Sequence, residues 1–367
     1  MQILLGKMLR RAGIGMLCVW GTSVPAQSMF NGLPPLPRVA PMMPPTVLHS
    51  DTQGEIRFKS SSPYDLDVLM SQPTKAEPTM GMGKLLLPRS AAGNQRVPAM
   101  VILPGGAGAI PGREYDTAEA MVGQGIAVLV IDYFKPRGIS NEMPYAVKIM
   151  GASEFDAVAD AYSALNALNQ HPAIDGKRIG VLGFSKGGIA ARMSMDERIR
   201  AKLAPQVAPF HLHVDFYGPC YAELPTRKTT GAPLLSFRAG DDASNDLVAC
   251  AHQEASLRQA GSPVSTVIYA KAGHDWESNR PRELVQRPYL AGCTIEFDAN
   301  DMPTLKGEAL IPADAQSDRQ TRYQIRYQSS KALGDCVKTG YLTGRDESAR
   351  SLARRQLLQF LKLHFAL

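Results

Sequence analysis

No basic run interleaved with aromatic residues occurs in this 367-residue chain, and its positive surplus is small. Lys and Arg number 40 against 34 Asp and Glu, a net charge of +6. Three of those charges are Lys7, Arg10 and Arg11, and no acid lies before residue 27. That leaves no electrostatic footprint for a nucleic-acid partner. Past the N-terminal segment, no apolar run approaches the ~18 residues that span a bilayer. No CxxC occurs, and the cysteine spacing is not that of a zinc site. Internal repeats are missing as well. Hydrophobic residues at 44 % and charged ones at 20 % exclude a disordered tail, a collagen and a coiled coil. The length fits one large α/β domain or two smaller ones.

What is present begins with an export pattern. Lys7, Arg10 and Arg11 form a positive region, Ala12 to Val24 a short apolar stretch, and Val24-Pro25-Ala26 offers small residues to a signal peptidase. Residues 1–26 are expected to be a secretory signal cleaved before Gln27, and the protein to be periplasmic or secreted. Cys18 follows Leu17 rather than a small residue, so no lipid anchor is expected. Removal of the signal leaves Cys220, Cys250, Cys293 and Cys336, which in an oxidising compartment point to two disulfides with three possible pairings.

Residues 27–54 form a proline-rich arm, densest over residues 31–45, where proline removes donors and stiffens the chain. A single domain is expected over residues 55–367. Glu55–Lys59, Leu66–Leu69 and Met82–Leu87 are predicted as short strands of an antiparallel edge. From residue 97, apolar strands alternate with helices. The strands are Val97–Leu103, Ile126–Ile131, Arg178–Leu182, Leu212–Phe216, Pro233–Phe237 and Val264–Tyr269. The helices are Tyr115–Gln124, Ala152–Gln170, Gly187–Met195 and Asp246–Ala260. Such alternation predicts an α/β fold, a doubly wound and mostly parallel sheet covered on both faces. Right-handed crossovers then place a ligand site at the C-terminal strand ends. Residues 280–345 are a long polar excursion. Ser348–Phe365 is a C-terminal amphipathic helix with Leu352, Leu357, Phe360, Leu361 and Phe365 near one face.

The strongest chemical signal is Gly183-Phe184-Ser185-Lys186-Gly187-Gly188, which follows an apolar strand and opens a helix. A side chain at 183 or 187 would collide with neighbouring backbone in so tight a turn. The turn lifts the Ser185 hydroxyl above the sheet edge at the positive end of a helix, where the Lys186 N–H can meet an oxyanion. Serine needs a base, and the base an acid. In chain order after Ser185, His274 stands in a loop beyond the last core strand, whereas His252 and His364 fall within helices. The acid belongs after strand Pro233–Phe237, where Asp241 and Asp242 both stand; Asp242 is preferred, and only one can face the base. A second oxyanion donor is expected from Pro104-Gly105-Gly106-Ala107-Gly108, with Gly106 chosen. A phosphate cradle there would need the P-loop lysine and Ser/Thr, which are missing.

Together, Leu103-Pro104-Gly105-Gly106, Asp132-Tyr133-Phe134-Lys135-Pro136-Arg137-Gly138, the serine motif, Phe216-Tyr217-Gly218-Pro219-Cys220 and Ala272-Gly273-His274 resemble the exported branch of the dienelactone hydrolase family of α/β hydrolases, over roughly residues 55–365. The resemblance implies hydrolysis of small esters or lactones through an acyl-enzyme, with no metal or organic cofactor. It implies a Cys220–Cys250 pair, and the spacing back from Cys250 favours Asp242 as the acid. Cys293–Cys336 is the expected second pair and would staple the excursion. Three departures from the family pattern are present. The namesake enzymes carry a cysteine nucleophile where Ser185 stands, so their particular substrate does not carry over. Pro104 replaces a histidine, and Ala243 stands where an aromatic residue follows the acid pair. A prolyl-oligopeptidase-type peptidase shares the motif and its order, but no propeller-like repeats precede the core here. A secreted binding protein on a hydrolase scaffold is the non-enzymatic alternative.

Overall fold

The computed structural model describes residues 34–92, 95–330 and 333–367. The expected signal segment 1–26 and the start of the proline-rich arm lie outside the described residues. The strands of the central sheet are β1 (Gly54–Ser62), β2 (Glu77–Leu86), β3 (Val97–Leu103), β4 (Ala127–Ile131), β5 (Ile174–Phe184), β6 (His213–Phe216), β7 (Leu234–Ala239) and β8 (Val264–Tyr269), in the order β1-β2-β4-β3-β5-β6-β7-β8. β1 pairs antiparallel with β2, and β2 antiparallel with β4; every later neighbour is parallel. Every residue of β3 and β4 is buried, the signature of strands covered on both faces.

The strand period of two divides that burial into two cores. Ala99, Val101 and Leu103 pack with helix Glu154–Asn169, through Phe155, Val158, Ala161 and Leu165. Met100 and Ile102 face the other way, against helix Glu114–Val122 and the terminal helix Glu347–Phe365. The terminal helix buries Ala349, Ala353, Leu357, Leu361 and Phe365, a stripe at every fourth residue, while Leu352 falls outside it and is exposed.

Two expectations need correction. Leu66–Leu69 is not a strand but the start of helix Leu66–Ser71. A four-residue apolar run carries no period of its own, and here Asp65 and Asp67, on one side of that turn, meet Arg322 from the far excursion. The stretch expected as one helix from Ala152 starts at Glu154, where Ser153 and Asp156 form a capping box, and a separate helix, Tyr145–Gly151, precedes it.

The polar excursion is a structured cap. Strand Glu283–Leu290 pairs antiparallel with strand Val337–Thr343. A three-stranded ribbon, Ile295–Phe297, Pro303–Leu305 and Glu308–Ala309, and helix Arg319–Ser329 lie between them. Arginines dock the cap helix on the body: Arg322 lies 2.8 Å from Asp67, and Arg326 makes two 3.1 Å hydrogen bonds to Glu154. The extended arm ties in as well, with Leu36 N donating to Gln320 Oε1 and Ala40 N to the Pro136 carbonyl. Cys220 and Cys250 stand 5.1 Å apart between Cα atoms, and Cys293 and Cys336 5.3 Å, both fitting disulfides.

Because Cys293 and Cys336 close a loop of 43 residues within the cap, replacing both by serine is expected to cost about 2–4 kcal/mol. Chemical denaturation under non-oxidising and oxidising conditions would read this as a lower midpoint. An unchanged midpoint would show that the arginine contacts hold the cap unaided.

Candidate active site

Ser185 occupies the junction of β5 and helix Lys186–Met193 at φ 52°, ψ −116°, a backbone region that residues with a Cβ rarely enter. Its neighbours permit this because they lack side chains. A Cβ on Gly183 would lie 1.9 Å from the Gly187 carbonyl oxygen, and one on Gly187 would lie 2.1 Å from that of Leu103. The Ser185 hydroxyl is partly exposed at the sheet's C-terminal edge.

His274 comes from the loop after β8. Its Nε2 is 2.8 Å from Ser185 Oγ and its Nδ1 2.7 Å from Asp242 Oδ2. A carboxylate accepts, so Nδ1–H donates to Asp242 and Nε2 is left to accept the serine proton. Asp242 is buried and held from both oxygens. Ser244 donates its backbone N–H and hydroxyl to Oδ1, at 3.0 and 2.6 Å, and Asn245 Nδ2 donates to Oδ2 at 2.9 Å. Asp241 points away, with a half-exposed carboxylate 3.6 Å from Arg282. Burial of the His274 ring disfavours its charged form, but the facing Asp242 carboxylate outweighs this and holds its pKa above the ordinary histidine value. His252 is exposed beside Glu223, and His364 lies against Phe360 on the terminal helix.

The two expected oxyanion donors line the same cavity as Ser185 and His274. Among the described residues, neither the Lys186 N–H nor the Gly106 N–H meets a protein acceptor. The glycine loop that presents Gly106 is braced from behind, where Tyr133 donates its hydroxyl to the Gly105 carbonyl at 2.6 Å. Arg113, fully buried, donates to the Gly108 carbonyl at 3.0 Å and pairs with Glu114 and with Asp275, the neighbour of His274. One guanidinium therefore ties the glycine loop to the histidine loop. Ser244, Asn245 and Arg113 carry no motif, so sequence reasoning missed them; Tyr133 lies within the Asp132–Gly138 motif, which gives no sign of its role under the glycine loop. The Lys186 side chain turns under the site, donating to the Ala152 and Ile149 carbonyls. Burial pushes its pKa down to about 7.

The cap completes the surroundings. His274 N donates to the Leu342 carbonyl at 2.7 Å, and Thr343 Oγ1 and Gly344 N both donate to the His274 carbonyl. The last cap strand thus pins the histidine loop. Among the described residues, no group of three or more His, Cys, Asp or Glu is placed to hold a metal ion, and no helix is long and apolar enough to cross a membrane.

Residues 84–294 match the model of the dienelactone hydrolase family. The chain is 27 % identical over 195 residues to a probable 2-oxo-3-(5-oxofuran-2-ylidene)propanoate lactonase of Bradyrhizobium sp, covering 49 % of this chain and 73 % of that protein. Among solved structures, it is similar to a putative dienelactone hydrolase from Klebsiella pneumoniae, with 16 % identity, 60 % of this chain and 87 % of the other covered, and a TM-score of 0.41. It is also similar to a dienelactone hydrolase-like promiscuous phosphotriesterase from metagenomic libraries, with 16 % identity, 78 % and 100 % covered, and a TM-score of 0.45.

The Asp242 contact makes the His274 ring titrate above the ~6.5 of a free histidine. Followed by NMR of the imidazole protons, Asp242→Asn is expected to lower the midpoint, leaving the ring neutral over a wider pH range. A midpoint that stays put in the variant would rule out Asp242 as the group that raises it.

Proposed function

This chain belongs to the dienelactone hydrolase family of hydrolases, and we propose that it is a serine hydrolase that cleaves small esters or lactones through an acyl-enzyme. The observation that carries this reading is the unbroken hydrogen-bonded line Ser185–His274–Asp242 opening on a cavity.

On this reading, Ser185 Oγ attacks the ester carbonyl carbon while its proton passes to His274 Nε2. The carbonyl electron pair moves onto oxygen, and the Lys186 and Gly106 N–H groups stabilise the resulting oxyanion. Asp242 holds the ring in the required tautomer and stabilises the imidazolium. Collapse of the tetrahedral intermediate re-forms the carbonyl, and His274 returns the proton to the departing alkoxide. A water molecule, deprotonated by the same nitrogen, then attacks the acyl-enzyme and releases the acid, restoring Ser185. Every proton gained by His274 is given back, so no external base is consumed.

An exported location is part of the proposal. Two cysteine pairs at disulfide separation persist in an oxidising compartment, and residues 1–26 have the make-up of a signal segment.

Turnover of p-nitrophenyl acetate and of a simple lactone is expected to fall by about 10⁴-fold or more in Ser185→Ala, with loss of labelling by a fluorophosphonate. Activity retained in that variant would defeat the assignment of the nucleophile. Since only neutral His274 accepts the serine proton, and its pKa is raised, kcat/KM should decline with falling pH from above pH ~6.5. A profile flat down to pH 5 would contradict this role for His274.

A further inference from the structure

We propose that the preferred substrates are esters bearing a hydrocarbon chain of about six carbons, acyl or alkyl, lodged between the cap and the helices of the body. This deepens the hydrolase reading above and rests on it. The cavity that opens on Ser185 and His274 has a volume of about 250 Å³. The body contributes Ile149, Phe155 and Ile189 to its wall, and the cap contributes Leu290, Phe297 and Leu310. Phe297 meets Phe155 edge-on at 5.7 Å between ring centres, so the cap closes on the body through an apolar contact.

Charged groups also border this cavity, but they are turned to one another. Arg326 makes both of its short hydrogen bonds to Glu154, stands 3.5 Å from Asp65 and lies over the Tyr64 ring. Lys186 donates to backbone carbonyls. The hydroxyls of Ser329 and Ser330 donate to the carbonyls of Leu310 and Tyr327. What the wall offers a guest is therefore chiefly hydrocarbon. An apolar cavity of this kind gains by taking apolar atoms. At the ~30 Å³ that one water-sized group occupies in a liquid, there is room for about eight such groups. The two ester oxygens take about two of these places, which leaves about six for carbons, the carbonyl carbon of an acyl chain included.

Each methylene brought from water into such a wall is worth about a fourfold gain in kcat/KM. The full chain would be assayed with two series, p-nitrophenyl acetate to octanoate and methyl to octyl acetate. In one of them, kcat/KM is expected to climb about fourfold per methylene to about six carbons and then level off. Leu310→Trp and Leu290→Trp, on different cap elements, fill the cavity from two sides. Each is expected to lower the selectivity ratio of the six-carbon ester to the shortest ester of its series at least tenfold, the short ester serving as internal reference. If short esters turn over but neither series rises, or if neither folded variant changes the ratio, the chain-length proposal is overturned and the hydrolase reading stands. If no ester of any length turns over and a fluorophosphonate does not label the protein, the hydrolase reading falls, and this inference with it.

Discussion

The close contact of two glycine backbones under Ser185 is the constraint on which the site depends. With Gly183 against Gly187 and Gly187 against Leu103, the strand can turn into a helix within a single residue. That residue then bears the strain of a positive φ. The backbone of Ser185 is held by this packing of strand against helix, and its hydroxyl then meets His274 Nε2 at 2.8 Å. The loops instead have to be brought to it. β7 and β8 end at the same sheet edge and deliver Asp242 and His274 there, because a parallel sheet aligns its C-terminal ends.

Holding those loops falls to buried ions. Arg113 spans the glycine loop and the residue after His274, while Arg238 donates to the Gly218 carbonyl and pairs with Asp215 and Glu254 beside the Asp242 turn. A buried ion pair is weak support for stability, since desolvation offsets much of the attraction. It is strong support for geometry, because a guanidinium has fixed donor directions and an unpaired one is costly to bury. The same device recurs where the cap meets the body, at Arg322 and Arg326. Directional contacts thus appear where a loop or cap must sit in one place, and apolar packing fills the layers between sheet and helices.

Much of this arrangement is legible in the sequence, for a definite reason. The parallel strands are continuous apolar runs, and the serine motif, the order of serine, acid and histidine, and the Asp241–Asp242 pair are all local patterns. The two aspartates differ in burial, with Asp242 inside and 2.7 Å from His274 and Asp241 half exposed. What stays hidden is non-local. Arg113 acts on residues on both sides of it in space, and nothing about its neighbours in sequence announces this. Leu66–Ser71 is a helix whose Asp67 carboxylate finds its partner, Arg322 on the cap, 255 positions away. The cap is hidden because three of its strands are only two or three residues long and its docking arginines, Arg322 and Arg326, find their partners far away in sequence.

The cap and the imidazole share a support. The strand that ends the cap, Val337–Thr343, is also the strand whose carbonyl and hydroxyl grip the backbone of His274. Residues 280–345 are therefore not an exchangeable module. Grafting a different cap from a relative would bring new walls and, at the same junction, a new cradle for the His274 loop, so the lining of the cavity and the seat of that imidazole change together.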